Sequence, residues 1–206
     1  MLRTNTDYTS RVLTDTELPK FKLNAACINL EDKEENMEFI TDEWSDFLHV
    51  QRVVASGPHV QSYTDLLSRI WARKEALRFP LVVMEDDVFR RNNFTEYWNE
   101  LLNLHNCDYV TFDPIFIEIV QEEIHPKFVS LLQHRASGFI VYYKKFFNRF
   151  ETAKDISRIA GDPIDCNLTH NSEFVKYTPK RQVCRQIVSK YSYTSERDTS
   201  NTHVYH

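Results

Sequence analysis

The sequence predicts an α/β fold, a single domain with a mainly parallel central sheet flanked by helices. Short apolar runs alternate with stretches of helical spacing through the first half of the chain, the pattern of strand–helix–strand units. At 206 residues, 42% of them hydrophobic and 13% aromatic, the chain is long and apolar enough for one substantial core. No repeat, low-complexity block or Gly/Ser linker divides it, so the domain is expected to span 1–206, with a polar leader (1–20) and a polar tail (196–206).

The elements follow in order. "NAACINL" (24–30) is a short apolar run expected to form a buried strand. "EDKEENMEFITDEW" places Met37, Ile40 and Trp44 at helical spacing. "FLHVQRVVA" (47–55) is rich in β-branched residues and predicts a second strand, broken by Gly57-Pro58. Ser62, with Asp65 three residues on, predicts a capped helix whose stripe is Leu66, Leu67, Ile70, Trp71 and Leu77. "PLVVME" (80–85) is the third strand. A polar helix is expected over 94–104, strands over 107–113 and 137–143, and a helix over 144–156. Pro163 after Asp162 suits the start of a short helix, and "EFVKYT" (173–178) is a last strand.

Chemistry is concentrated where the third strand ends. The apolar run Leu81-Val82-Val83-Met84 stops at Glu85-Asp86-Asp87. Packed carboxylates repel unless a cation, a proton or solvent intervenes. In open α/β sheets ligands bind beyond the carboxyl ends of the strands, the edge where Asp87 and Asp113 are expected. Side chains two apart share a side, so Glu85 and Asp87 are expected to converge while Asp86 points away. Two such oxygen ligands suit Mg²⁺ or Mn²⁺, completed by water and phosphate oxygens.

Composition removes several alternatives. With three glycines, neither GxGxxG nor GxxxxGK[ST] can be written, and the DxDxT of aspartyl-phosphate phosphatases is missing. Cys27, Cys107, Cys166 and Cys184 form no CxxC pair and are expected as free, buried thiols. A net charge of −5 argues against a general nucleic-acid surface. No stretch approaches the roughly 20 apolar residues of a membrane-spanning helix, and the leader lacks a signal-peptide core. A soluble, cytoplasmic protein is expected.

Several stretches, taken in order over about residues 24–195, resemble family 25 of the sugar transferases, which includes lipopolysaccharide-modifying and collagen-galactosyl enzymes. They are "CINLEDKEENMEFI", "VQRVVASG", "SYTDLLSRIWARKEALRFPLVVMEDDV", "SGFIVYYKKFFNRF", "DPIDCNL" and "VKYTPKRQV". Similar stand-alone domains occur in large algal viruses, associated with capsid glycosylation, which would make the host cytoplasm the setting. The resemblance implies the GT-A fold and a metal-dependent transfer of sugar from a nucleoside-diphosphate sugar, most simply a UDP-sugar such as UDP-glucose. The acceptor would be a glycan or glycoprotein.

The resemblance also implies residue roles. Asp87 would be the direct ligand of Mn²⁺ or Mg²⁺, and Glu85 a water-mediated ligand or ribose partner with Asp86 close by. Ile28, Asn29 and Leu30 would flank base and ribose. Arg52 and Arg69 are candidate phosphate partners, and Gly138 would bring backbone close to the sugar. Asp165, or Asp162 in its place, would be the carboxylate base that takes the acceptor's proton. Two departures stand out: Glu35-Asn36-Met37 where the family commonly has an Arg, and Tyr63 after Ser62 where it commonly has His. The alternatives are a metal-dependent nucleotidyltransferase, which would normally need a glycine-rich phosphate loop, and an inactive sugar-nucleotide binding module.

Overall fold

The computed structural model describes residues 18–55, 59–91, 93–114, 117–120, 125–134, 138–159 and 173–186. Strand β1 (Leu23–Asn29) is buried without interruption at its carboxyl end and has parallel partners on both sides. These are β2 (Leu48–Val54) and β3 (Leu81–Glu85). Helix α1 (Glu34–Glu43) links β1 to β2 and buries Met37 and Ile40, the spacing that puts both on one face. Helix α2 (His59–Ala72) returns to β3. It begins before Ser62, which lies buried inside it; the expected cap at Ser62 is therefore replaced by an earlier start.

After β3 the chain turns through Asp86-Asp87 into a short strand, β4 (Val88–Arg90). The expected polar helix over 94–104 is a five-residue α3 (Phe94–Trp98) and a single 3-10 turn (Leu101–Asn103). It is far from polar in its packing, since Phe94, Tyr97 and Trp98 are buried. Then come β5 (Tyr109–Thr111), β6 (Ile117–Val120), β7 (Phe128–His134) and β8 (Phe139–Tyr142). Helices α4 (Lys144–Asn148) and α5 (Ala153–Ile159) replace the one expected helix, and β9 (Lys176–Pro179) and β10 (Cys184–Gln186) end the described chain.

Eight strands form one sheet in the order β2-β1-β3-β8-β5-β9-β7-β6, while β4 and β10 make a separate antiparallel pair. The expectation of a mainly parallel sheet is corrected here. Only β1–β2, β1–β3 and β5–β9 are parallel pairs. The pairs β3–β8, β5–β8, β7–β9 and β6–β7 are antiparallel. Each reversed strand inserted between neighbours makes two antiparallel ladders, so β8 and β7 alone account for all four. A buried run such as β8's Phe139-Ile140-Val141-Tyr142 carries no signal of direction.

Apolar side chains cover both faces of the sheet. On one, Val82, Met84, Phe139, Val141 and Phe112 pack with Trp44, Phe47, Phe94 and Trp98. Phe94 is the hub, with ring centroids 5.1 Å from Trp44 and Phe47 and 5.3 Å from Phe112; aromatic pairs at such spacings add about 0.5–1.5 kcal/mol each beyond burial. On the other face Leu81, Val83, Ile140 and Tyr142 meet Tyr63, Leu66, Leu67 and Ile70 of α2. Asp108, just before β5, clamps this architecture. Its buried carboxylate accepts Arg149 Nε at 2.6 Å, Arg149 Nη2 at 2.8 Å and the Val175 N–H at 2.7 Å. Cys27, Cys107 and Cys184 are free and buried, as expected; Cys166 lies outside the described residues.

Candidate functional site

The acid turn sits where β3 leaves the sheet, beside the carboxyl ends of β1 and β5. Its three acids meet different partners. Asp86 Oδ2 accepts Asn29 Nδ2 at 2.5 Å and Asn36 Nδ2 at 3.2 Å, which pins the turn to the end of β1 and to α1. Glu85 turns toward β10, its Oε2 accepting Gln186 Nε2 at 3.1 Å. Asp87 Oδ1 is buried and meets no hydrogen-bond partner. Burial first, then the charges of Glu85, Asp86 and Asp113, pushes the Asp87 carboxyl well above the usual carboxylate range. After burial, the charges of Asp86, Asp87 and Glu85 raise the thiol of Cys27.

A second layer builds around Gly138. Its carbonyl accepts the Glu85 N–H at 2.9 Å, joining β8 to the turn. A Cβ at position 138 would come within 3.0 Å of both Asp113 Oδ2 and Gln186 Nε2. A side chain here would have to displace those two side-chain ends, so glycine is favoured for want of space rather than for a positive φ. Asp113, itself buried, follows β5 by two residues and accepts the Phe139 N–H on Oδ1 at 2.9 Å. Tyr63 of α2 lies under this group: its phenol is raised by burial, by Tyr142, and further by the charges of Glu85 and Asp113. Tyr63 Oη and Tyr142 Oη are 3.1 Å apart.

Arg52 serves the neighbouring loop. Its Nε donates to Asn29 Oδ1 at 2.7 Å, and its Nη2 donates to the carbonyls of Leu30 at 3.2 Å and Glu31 at 3.1 Å. Nη1 stands 3.6 Å from the exposed Glu34 carboxylate. Asn29 is thus a relay, accepting from Arg52 and donating to Asp86 and to the Lys33 carbonyl. An unbroken polar chain, Arg52–Asn29–Asp86–Asn36, shapes the 30–33 loop before any ligand arrives.

The other sequence-predicted residues divide in three. Ile28 is buried against α2, and Leu30 is exposed at the tip of β1. Arg69 is exposed in the last turn of α2, about 9 Å along the helix from Tyr63, and makes no hydrogen bond or ion pair with the acid turn. Asp162 and Asp165 lie outside the described residues. Asn36 and Gln186 received no role from the sequence, and Asp113 only a place on the sheet's expected functional edge. Asp113 carried a signal, an acid at a strand's carboxyl end. Gln186 carried none, because the β4–β10 pairing that delivers it is a long-range contact.

Among the described residues no group of three or more His, Cys, Asp or Glu side chains is arranged to hold a metal ion by itself. Mg²⁺ and its like need only one or two carboxylates when water and phosphate oxygens complete the shell. A buried carboxylate oxygen with no donor, pressed by like charges, suits that kind of ion. The residues present fit a divalent cation shared with an anionic ligand.

No protein-family model matches the chain, and no curated protein matches it. Among solved structures, A197 from STIV is similar, with 9% identity, a TM-score of 0.52, and coverage of 82% of this chain and 87% of that one. This likeness shows a shared fold between the two. Mouse xyloside xylosyltransferase 1, in its apo form, is a weaker match, with 13% identity and a TM-score of 0.34 over 76% of this chain and 66% of that one. No described helix is long and apolar enough to cross a membrane.

Proposed function

We propose that the protein is a metal-dependent glycosyltransferase that moves a sugar from a nucleoside-diphosphate sugar, UDP-linked, to a glycan or protein-linked acceptor. The observation that carries the reading is the buried, partnerless Oδ1 of Asp87, close to Glu85 and Asp86 at the end of β3 and to Asp113 beyond β5. A carboxylate in that position repels its neighbours until a cation joins it, and a diphosphate supplies the remaining ligands and charge balance.

Asp87 and Glu85 would hold Mn²⁺ or Mg²⁺. Bound there, the ion supplies Lewis-acid stabilisation of the negative charge that grows on a departing nucleoside diphosphate. The chain's own residues do the rest. Asp86 fixes the turn to Asn29 and Asn36, so the two ligand carboxylates start from a set geometry. Arg52 and Asn29 hold the loop after β1, where Ile28 and Leu30 would flank the base and ribose. Trp44 Nε1 donates to the Val88 carbonyl at 3.0 Å and anchors the far side of the turn to the core. Asp165, with Asp162 as its competitor, is the proposed base that takes the acceptor hydroxyl's proton as the sugar bond breaks.

The test is donor turnover. The full chain is incubated with Mn²⁺ and a panel of UDP-sugars, and released UDP is measured alongside thermal shifts with and without metal. Expected is one donor that stabilises the fold and releases UDP only when metal is present. Stabilisation by a nucleoside triphosphate alone would transfer the site to a nucleotidyltransferase; donor binding without UDP release would make it a binding module.

A further inference from the structure

The register of β1 and β2 sets Arg52 opposite Cys27, and Asn29, two residues on, shares that face of the sheet. The Arg52 side chain runs toward the carboxyl end of β1. Its Nε donates to Asn29 Oδ1 at 2.7 Å, while Nη2 donates to the carbonyls of Leu30 and Glu31. Asn29 is buried, and its Nδ2 donates to the Lys33 carbonyl at 2.7 Å and to Asp86 Oδ2 at 2.5 Å. Only one orientation of the amide makes all three contacts. Turned over, it would set its oxygen against the Asp86 carboxylate and the Lys33 carbonyl, and its own N–H groups against the guanidinium. Arg52 Nε can only donate, so it selects the orientation in which Asn29 grips Asp86.

We propose that Arg52 is a positioning residue for the acid turn: through the Asn29 amide it fixes Asp86, and so promotes cation binding although its own charge opposes it. The inference rests on the cation-dependent reading above and adds a residue from β2 on which that site depends. Two effects of Arg52 compete. Its positive charge repels a divalent ion, but that repulsion weakens with distance and with screening, and the side chain is partly exposed. Its hydrogen bond to Asn29 acts at short range on a buried amide. Outer partners that orient a metal site in this way typically alter affinity 10- to 100-fold when removed. The other hold on Asp86, from Asn36 Nδ2, is longer at 3.2 Å and comes from a half-buried residue, so it does not replace Asn29. Positioning sets the sign.

The test uses the full chain, Mn²⁺ alone as the probe, titration calorimetry for affinity, and the electron paramagnetic resonance spectrum of bound Mn²⁺ for the geometry of its shell. Arg52→Lys keeps the charge and loses the planar fork of donors. It should weaken Mn²⁺ binding about tenfold and alter the spectrum. Arg52→Met should also weaken binding, against the gain that loss of a positive charge would give by itself. Asn29→Leu should cost at least as much, and adding Arg52→Lys to it should cost nothing further, because the two residues act in series. Unchanged or tighter Mn²⁺ binding in either folded Arg52 variant, or a full further loss in the double variant, overturns the role of Arg52 alone. So does a wild-type spectrum in both variants, or the failure of both to fold, since either makes Arg52 a structural support only. A wild-type protein that binds no Mn²⁺ overturns the cation reading and this inference with it.

Discussion

Asp87→Asn separates a carboxylate that waits for a cation from one that merely helps hold the fold. Asparagine keeps the shape and removes the charge. In metal-free wild type the folded Asp87 carboxyl has its pKa raised, chiefly by burial and then by Glu85, Asp86 and Asp113. A raised acid binds its proton more tightly in the folded state than in the unfolded one. Its contribution is therefore intact below the unfolded value near pH 4 and is lost as pH climbs toward the folded value, at about 1.4 kcal/mol per pH unit inside that window. The asparagine variant escapes this loss. A buried, unsatisfied polar group costs about 1–3 kcal/mol, so the metal-free variant should exceed wild type by about that much at pH 7. For a domain of this size that is roughly 2–10 °C in melting midpoint. The gap should narrow toward pH 4 and close below it, where the aspartate is protonated in both states. Adding Mn²⁺ should reverse the order, since a ligand at one hundred times its Kd stabilises the wild type by about 2.7 kcal/mol and the variant by far less. Melts from pH 4 to 8, with and without Mn²⁺, read all of this. An Asp87→Asn protein less stable than wild type at pH 7 without metal, with the deficit persisting at pH 4, would show a satisfied carboxylate and refute the reasoning.

Three further outcomes are expected. Gly138→Ala places a Cβ within 3.0 Å of Asp113 Oδ2 and Gln186 Nε2, so thermal unfolding should show a loss of about 1–3 kcal/mol from overpacking, with Mn²⁺ affinity falling in parallel; an unchanged midpoint would mean the second layer yields freely. At the Asp108 clamp the two partners should be unequal, because Asp108 is wholly buried while the Arg149 side chain is one-third exposed. Arg149→Met strands a buried charge and should cost about 3–5 kcal/mol, Asp108→Asn only about 1–3 kcal/mol; equal losses in denaturant melts would contradict the asymmetry. Asp165→Asn should retain UDP-sugar affinity by calorimetry and lose transfer, and wild-type turnover in that variant would reassign the base.

Strand positions were legible where burial is dense and local. β1, β3 and β8 fall within a residue or two of their expected ranges because apolar runs of that length have few other uses, and β2, buried only at Leu48, because of its β-branched content. β4, β6, β7 and β10 were not foreseen. β4 and β10 have three residues each, too few for any periodicity, and β7 alternates imperfectly, with Val129 and Ser130 both half-buried. The long helix expected over 144–156 is cut at Arg149, whose guanidinium is drawn to Asp108 across 41 residues of sequence.

By itself the sequence determined that an apolar strand ends in a knot of acids, and that the chain has no glycine-rich cradle to hold a phosphate in another way. These are properties of composition and of neighbours along the chain, and folding cannot alter them. The tertiary structure alone decided how the knot is divided: Asp86 tied to Asn29 and Asn36, Glu85 to Gln186, and Asp87 left with a buried oxygen and no donor. The physical reason is reach. Each of those partners comes from a different strand or helix, between 50 and 101 residues away, and a hydrogen bond acts over about 3 Å of space whatever the separation in sequence.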